Sequence, residues 1–141
     1  MQTFFFVTAA ALIDDSGLVL LQKRPMTGSM PGLWEFPGGK VEPGETPEAA
    51  LARELSEEIE VQVEQAALVP LAFASAPLSD RHLVLLLYAC WKWLGEPRPL
   101  IATELKWVAP ADMHDLDMPP ADVPLVDALI NFQKSGAQPV R

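Results

Sequence analysis

The sequence predicts a mixed α/β (α+β) domain, and three features of the 141-residue chain predict it. Short runs rich in Val, Leu, Phe and Tyr alternate with turn residues, the pattern of strands. Residues 46–59 open with Thr-Pro and continue in helix formers, and a second helical pattern follows Asp122 near the C-terminus. Half of the residues are apolar, ample for one core. The length fits a single domain over residues 1–134, followed by a flexible tail at 135–141.

Taken in order, Phe4–Ile13 reads as a buried strand, Asp14-Asp15-Ser16-Gly17 as a turn and Leu18–Gln22 as the returning strand of a hairpin. Pro25–Gly32 holds two Pro and two Gly and reads as a loop. Trp34-Glu35-Phe36 is a short extended piece before Pro37-Gly38-Gly39, and Gly44 marks another turn. Thr46 is a natural N-cap, Pro47 suits the first helical position and Glu48 suits the helix dipole, so a helix is expected from Pro47 to Ile59. Val61–Leu71 and Leu83–Leu94 read as strands, and Leu105–Val108 as a shorter one. Asp122 is placed to cap a last helix through Val126, Leu129, Ile130 and Phe132 to Lys134, with Gly136 as its stop.

Charge narrows the function. The chain carries 19 acidic and 10 basic residues, a net charge of −9, which disfavours a protein that grips duplex nucleic acid through a basic surface. Eight acids and two bases fall in residues 40–64, so six of the nine net charges lie in one window. The apolar start lacks a basic n-region and runs into Asp14-Asp15, and Leu83–Trp91 stops well short of the roughly 20 residues that a membrane span needs. The lone Cys90 excludes an internal disulfide and suits a reducing cytoplasm. Its place in an apolar run reads as a structural thiol.

The acidic window has internal order. At about 100° per residue, Glu54, Glu57 and Glu58 share an arc of about 100°, beside an apolar stripe of Leu51, Ala52, Leu55 and Ile59. Like charges one turn apart repel by a few tenths of a kcal/mol per pair. Such a face is ordinarily just solvated; hard divalent cations are the other way to hold it together. The preceding Gly38-Gly39 lets backbone approach a ligand closely, and the turn delivers Glu45 just ahead of the helix.

The spacing Gly39-x5-Glu45-x7-Arg53-Glu54-Leu55-x-Glu57-Glu58-x-Glu60-Val61 resembles the Nudix box, Gly-x5-Glu-x7-Arg-Glu-U-x-Glu-Glu-x-Gly-U with U a bulky aliphatic residue. Eight of its nine specified positions match, with Glu60 in place of the final Gly. Glu there must adopt a left-handed conformation that suits Gly. Leu33–Lys40, Asp80-Arg81-His82, Gly95-Glu96-Pro97 and Pro119–Pro124 extend the likeness to the MutT-type branch, which hydrolyses oxidised nucleoside triphosphates. The resemblance implies the Nudix fold, a mixed β-sheet sandwiched between helices, with Mg²⁺ (Mn²⁺ being an alternative) as cofactor and a nucleoside triphosphate as substrate.

By that resemblance, Glu54, Glu57, Glu58 and the Gly39 carbonyl are metal ligands, Glu54 also orients or deprotonates the attacking water, and Glu45 pairs with Arg53. Lys40 is a candidate for neutralising phosphate, and Glu104 for an additional acidic ligand. Arg24, Phe36, Arg81 and Asp122 would line the nucleoside pocket. In the MutT branch the position of Asp122 is often Asn, which offers a donor and an acceptor to 8-oxoguanine. Ionised Asp only accepts, which suits the amino group of cytosine; protonated Asp restores the pair. The reaction expected is 8-oxo-dGTP to 8-oxo-dGMP and pyrophosphate, for nucleotide-pool sanitation, with CTP or 5-methyl-dCTP hydrolysis as the alternative. The alternative of another class is a non-catalytic nucleotide sensor, which would be expected to lack the box carboxylates. A cytoplasmic monomer is expected, and a dimer is compatible with the sequence.

Overall fold

The computed structural model describes residues 3–136. Two sheets form its frame. The first holds β1 (Phe4–Leu12), β4 (Gly38–Lys40), β5 (Val69–Pro77) and β6 (His82–Cys90) in the order β4-β1-β6-β5. It is mixed: β1 runs parallel to β6 and antiparallel to β4. The second is antiparallel, with β2 (Val19–Lys23) between β3 (Trp34–Glu35) and β7 (Glu104–Val108). Helices α1 (Pro47–Ile59) and α2 (Val123–Lys134) complete the fold.

Alternation along the strands builds two cores. Ala9, Ala11 and Ile13, with Leu85, Leu87 and Ala89, face a cluster holding Leu125, Val126 and Leu129 of α2. Ala10, Leu12, Leu20, Leu86, Tyr88 and Cys90 face Leu51, Leu55 and Ile59 of α1. The strands are thus apolar on both faces, as a sheet between helices requires. Each fully buried Leu or Ile of α1 contributes about 1.5–3 kcal/mol.

Helix α1 has the expected bounds. Thr46 Oγ1 accepts from Ala49 N at 3.1 Å and Pro47 begins the first turn. The helix ends where Glu60 turns left-handed, φ 61° and ψ 32°, and gives its N–H to Leu55 O. One further anchor has no counterpart in the sequence reading: Tyr88 Oη donates to Glu48 at 2.9 Å, tying the first turn to β6.

Three expectations are corrected. The hairpin of the first two strands shrinks to a turn with one bridge, Ile13 to Val19, because β1 finds its long partner in β6 and β2 joins the other sheet. Val61–Leu71 is no continuous strand: Gln62 bridges Leu94, Gln65–Ala67 form a 3-10 turn, and β5 begins at Val69 with a register shift between Pro70 and Ala72. An edge strand tolerates such a proline where a central one does not. The expected strand Leu83–Leu94 leaves the ladder after Cys90, as Trp91 packs on Phe132 of α2 and Trp93 stacks on Trp107. Of the expected tail, Ser135 and Gly136 still make turn hydrogen bonds to α2; residues 137–141 lie outside the described residues.

Candidate active site

The two glycines of β4 are fixed by contact. A Cβ on Gly38 would lie 1.9 Å from the Thr8 carbonyl oxygen, and one on Gly39 2.2 Å from the carboxyl carbon of Glu54. Backbone lies against backbone at the first position, and against the Glu54 carboxylate at the second. The turn after β4 is held by Glu45, whose Oε1 accepts from Glu42 N at 2.9 Å. Arg53 grips the same carboxylate through Nε and Nη2, reaches Glu54 Oε1 through Nη1 at 2.9 Å, and donates to Lys40 O at 3.2 Å. Hydrogen bonding from Arg53 pulls the Glu45 carboxyl down to about 2, and the same bond raises the guanidinium further above its ordinary value.

The three box carboxylates differ in surroundings. Glu57 is exposed, with a 3.4 Å contact to Arg53. Glu54 is largely covered and held by Arg53. Glu58 is more enclosed: burial pushes its carboxyl up to about 7 against hydrogen bonds from Gln22 and the Gly38 backbone, and neighbouring Glu54 and Glu35 push the same way. Gln22 Nε2 donates to Glu58 at 3.1 Å. Among the described residues, no three or more His, Cys, Asp or Glu side chains are gathered closely enough to hold a metal ion as they stand. Glu54, Glu57 and Glu58 offer oxygen donors only, the kind that suits a hard divalent cation whose coordination is completed by water and substrate phosphates. Mutual repulsion of the carboxylates is what such a cation relieves.

The candidate nucleoside residues divide into two places. Arg24 Nη1 meets Glu35 at 2.9 Å, and its other nitrogens hold Ser29 O and Oγ at 3.0 Å each. Asp122, 6% exposed, does not cap α2: its Oδ2 accepts from Phe36 N at 3.4 Å, and the backbone at 122 is already helical. Burial, with Glu35 nearby, pushes the Asp122 carboxyl up to about 7. Phe36 is 3% exposed, so its ring belongs to the core and only its backbone reaches Asp122. Arg81 lies 3.9 Å over the Phe5 ring, on which Lys40 also sits at 5.2 Å.

Lys40 is therefore not among the carboxylates. It pairs with Val7, one residue on from the Gly39–Thr8 pair that faces Glu54, so the pleat turns its side chain to the other face. Glu104 pairs with Lys23, on the face that carries Trp34 and Lys106, whereas Gln22 and Glu35 point to the face of Glu58. The register thus sets Glu104 apart from the arc. Sequence reasoning passed over Gln22 and Glu35. The signal was there: Gln22 stands two residues after Leu20 on an inward face, where a polar side chain is out of pattern.

Residues 5–129 match the NUDIX domain family. The chain is 41% identical over 90 residues to an 8-oxo-dGTP diphosphatase of Proteus vulgaris, covering 64% of this chain and 79% of that protein. It is 35% identical over 121 residues to a CTP pyrophosphohydrolase of Escherichia coli K12, covering 86% and 88%. The solution structure of the E. coli ORF135 protein superposes with a TM-score of 0.84 at 31% identity, over 95% of this chain and 94% of that one. The fold and the loop-helix of carboxylates are those of a phosphoanhydride hydrolase. The chain belongs to the Nudix family, whose hydrolases generally need divalent cations. Among the described residues, no helix is long and apolar enough to cross a membrane.

Proposed function

We propose that the chain is a Mg²⁺-dependent nucleoside triphosphate pyrophosphohydrolase, with Mn²⁺ able to substitute, that cleaves 8-oxo-dGTP to 8-oxo-dGMP and pyrophosphate and so cleans the nucleotide pool. The observation that carries the reaction is the Arg53-anchored loop-helix, in which Arg53 ties Glu45 to Glu54 and Glu54 lies against Gly39, with Glu57 and Glu58 on the same helix. Those three carboxylates and the Gly39 carbonyl would hold the metal, which when bound would supply the positive charge that a chain of net charge −9 lacks. Glu54, with one oxygen tied to Arg53, is left with the other to orient or deprotonate the attacking water. Arg24 and Asp122 face the nucleoside, Arg81 and Lys40 approach the substrate from the Phe5 side, and Glu104 is the weakest of the candidate ligands. We read the enzyme as a cytoplasmic monomer, a dimer remaining compatible.

The base choice rests on Asp122. A carboxyl pushed up to about 7 carries a proton for part of the time and then offers both a donor and an acceptor, the pair that O6 and N7–H of 8-oxoguanine require. The ionised form accepts only, which favours the second reading, CTP or 5-methyl-dCTP, and the relative named CTP pyrophosphohydrolase supports that reading. Steady-state kinetics with 8-oxo-dGTP, dGTP, CTP and 5-methyl-dCTP separates the two: a higher kcat/KM for the cytosine nucleotides sinks the first. Glu54→Gln should lower Mg²⁺-dependent pyrophosphate release by roughly 100-fold or more. Retained activity in that variant would remove Glu54 from its assigned role, and no release by the parent enzyme from any of the four would favour a nucleotide sensor.

A further inference from the structure

Gln22 lies in β2, 4% exposed, between the short strand β3 and helix α1. Its amide nitrogen donates to Glu35 Oε2 at 3.3 Å and to Glu58 Oε2 at 3.1 Å. Carboxylate oxygens accept, so the amide nitrogen must face them and the amide orientation is fixed by chemistry. Glu35 uses its other oxygen on Arg24, which in turn holds Ser29. An unbroken polar chain, Ser29 to Arg24 to Glu35 to Gln22 to Glu58, therefore joins the loop at 25–32 to the carboxylate helix. Gln22 is the one link in it that touches two carboxylates at once.

The other half of the amide is unexplained by the protein. Gln22 Oε1 is buried and has no hydrogen-bond partner among the described residues. A buried acceptor left alone costs about 1–3 kcal/mol, and an apolar side chain of the same shape would avoid it, as Leu20 does on the same face of the strand. The two side chains that Gln22 touches, Glu35 and Glu58, are carboxylates with no hydrogen to give when ionised. In that state, the one in which Glu58 would bind a cation, neither supplies the missing donor. A water bound to a cation is such a donor, with its O–H bonds polarised by the ion.

We propose that Gln22 is a positioning residue of the metal site: its N–H bonds lock Glu58 to Glu35, and its Oε1 accepts from a water on the divalent cation held by the α1 carboxylates. This rests on the metal-dependent reading above. Partners of this kind, one step behind the ligands, fix ligand orientation and typically change metal affinity 10- to 100-fold when removed. A merely structural Gln22 would affect the melting temperature and leave the metal alone.

The test is Mn²⁺ titration of the full chain without nucleotide, by calorimetry, for the parent protein and for Gln22→Met, with thermal melts of both. Met keeps the volume and removes both halves of the amide. The expected result is a Kd for Mn²⁺ raised about tenfold or more with the metal-free melting temperature kept or raised, and a fall in kcat that exceeds any rise in KM. An unchanged Kd overturns the role of Gln22 and leaves the hydrolase reading intact. If the parent chain binds no Mn²⁺, the metal-dependent reading itself falls. Should Gln22→Met fail to fold, Glu35→Ala carries the test, since it frees Gln22 from one side without entering the core: a Kd raised severalfold supports the chain of contacts, and an unchanged one overturns it.

Discussion

Arg53 meets Glu45 through two parallel bonds, Nε to Oε2 at 2.7 Å and Nη2 to Oε1 at 2.9 Å, while its third nitrogen reaches Glu54. One guanidinium thus fixes the turn before the helix and a carboxylate on the helix together, in the fork geometry that lysine cannot reproduce. Glu45→Gln keeps the size and loses the charge. Activity should fall at least tenfold with the melting temperature little changed, because the pair is partly exposed and contributes positioning more than stability. An equal loss of stability and activity would contradict this.

The same pair gives a pH signature. Glu45 is held down at about 2, against an ordinary 4.5, so the folded form favours the ionised state. Its contribution to stability is complete above the unfolded value near 4.5 and is lost as pH falls toward 2. Carboxyl chemical shifts followed by NMR from pH 6 to 2 should show Glu45 still ionised at pH 3.5. In Arg53→Ala its midpoint should return toward 4.5.

The adjacent glycines should respond differently. Gly39→Ala drives a methyl into the Glu54 carboxylate, a side chain that can swing away. The expected result is a roughly 100-fold loss of kcat with a small change in melting temperature. Gly38→Ala drives its methyl into the Thr8 backbone at a φ of 158°, where β4 is paired with β1 and cannot yield. Here stability should drop by about 2 kcal/mol or more. Melts and kinetics on both variants check the contrast.

Glu60 stands where the family pattern has glycine, and it holds the left-handed geometry that ends α1. A residue with a Cβ is strained there by about 1–2 kcal/mol. Glu60→Gly should therefore raise stability by about 1 kcal/mol in urea melts, the gain being reduced by the freedom of glycine in the unfolded chain. Its kcat should not change, since Glu60 makes no part of the carboxylate arc.

The site was more legible in the sequence than the sheets around it. Glu54, Glu57 and Glu58 share a face because helical period is local, and Thr46 and Pro47 mark the helix start by chemistry within one turn. Strand partners are set at long range. Phe4–Leu12 lies parallel to His82–Cys90, and nothing in the turn at 14–17 could report that a distant strand outcompetes the hairpin. Asp122 failed as a cap for the same reason, since the N–H that its carboxylate accepts belongs to Phe36, 86 residues upstream. Gln22 was visible only as a break in strand alternation, and its two carboxylate partners come from different elements.

Asp122 supplies a test that joins stability to substrate choice. Its folded value of about 7 lies above the ordinary 3.8 of an aspartate, mainly through burial. A raised carboxyl stabilises the fold fully below about 3.8 and loses that contribution as pH rises through 7, so ionised Asp122 should weaken the native state at pH 8 by an amount on the order of a few kcal/mol. Asp122→Asn cannot ionise, and its melting temperature should match the parent near pH 4 and exceed it at pH 8. In catalysis, the preference for 8-oxo-dGTP over 5-methyl-dCTP should fall about tenfold between pH 6 and pH 8 as the proton that completes the donor–acceptor pair is lost, one such bond being worth about 1.4 kcal/mol. In Asp122→Asn that preference should be flat with pH, because the amide always carries both a donor and an acceptor. A parent enzyme whose ratio of kcat/KM values does not move across this range would show that Asp122 does not read the base through its proton.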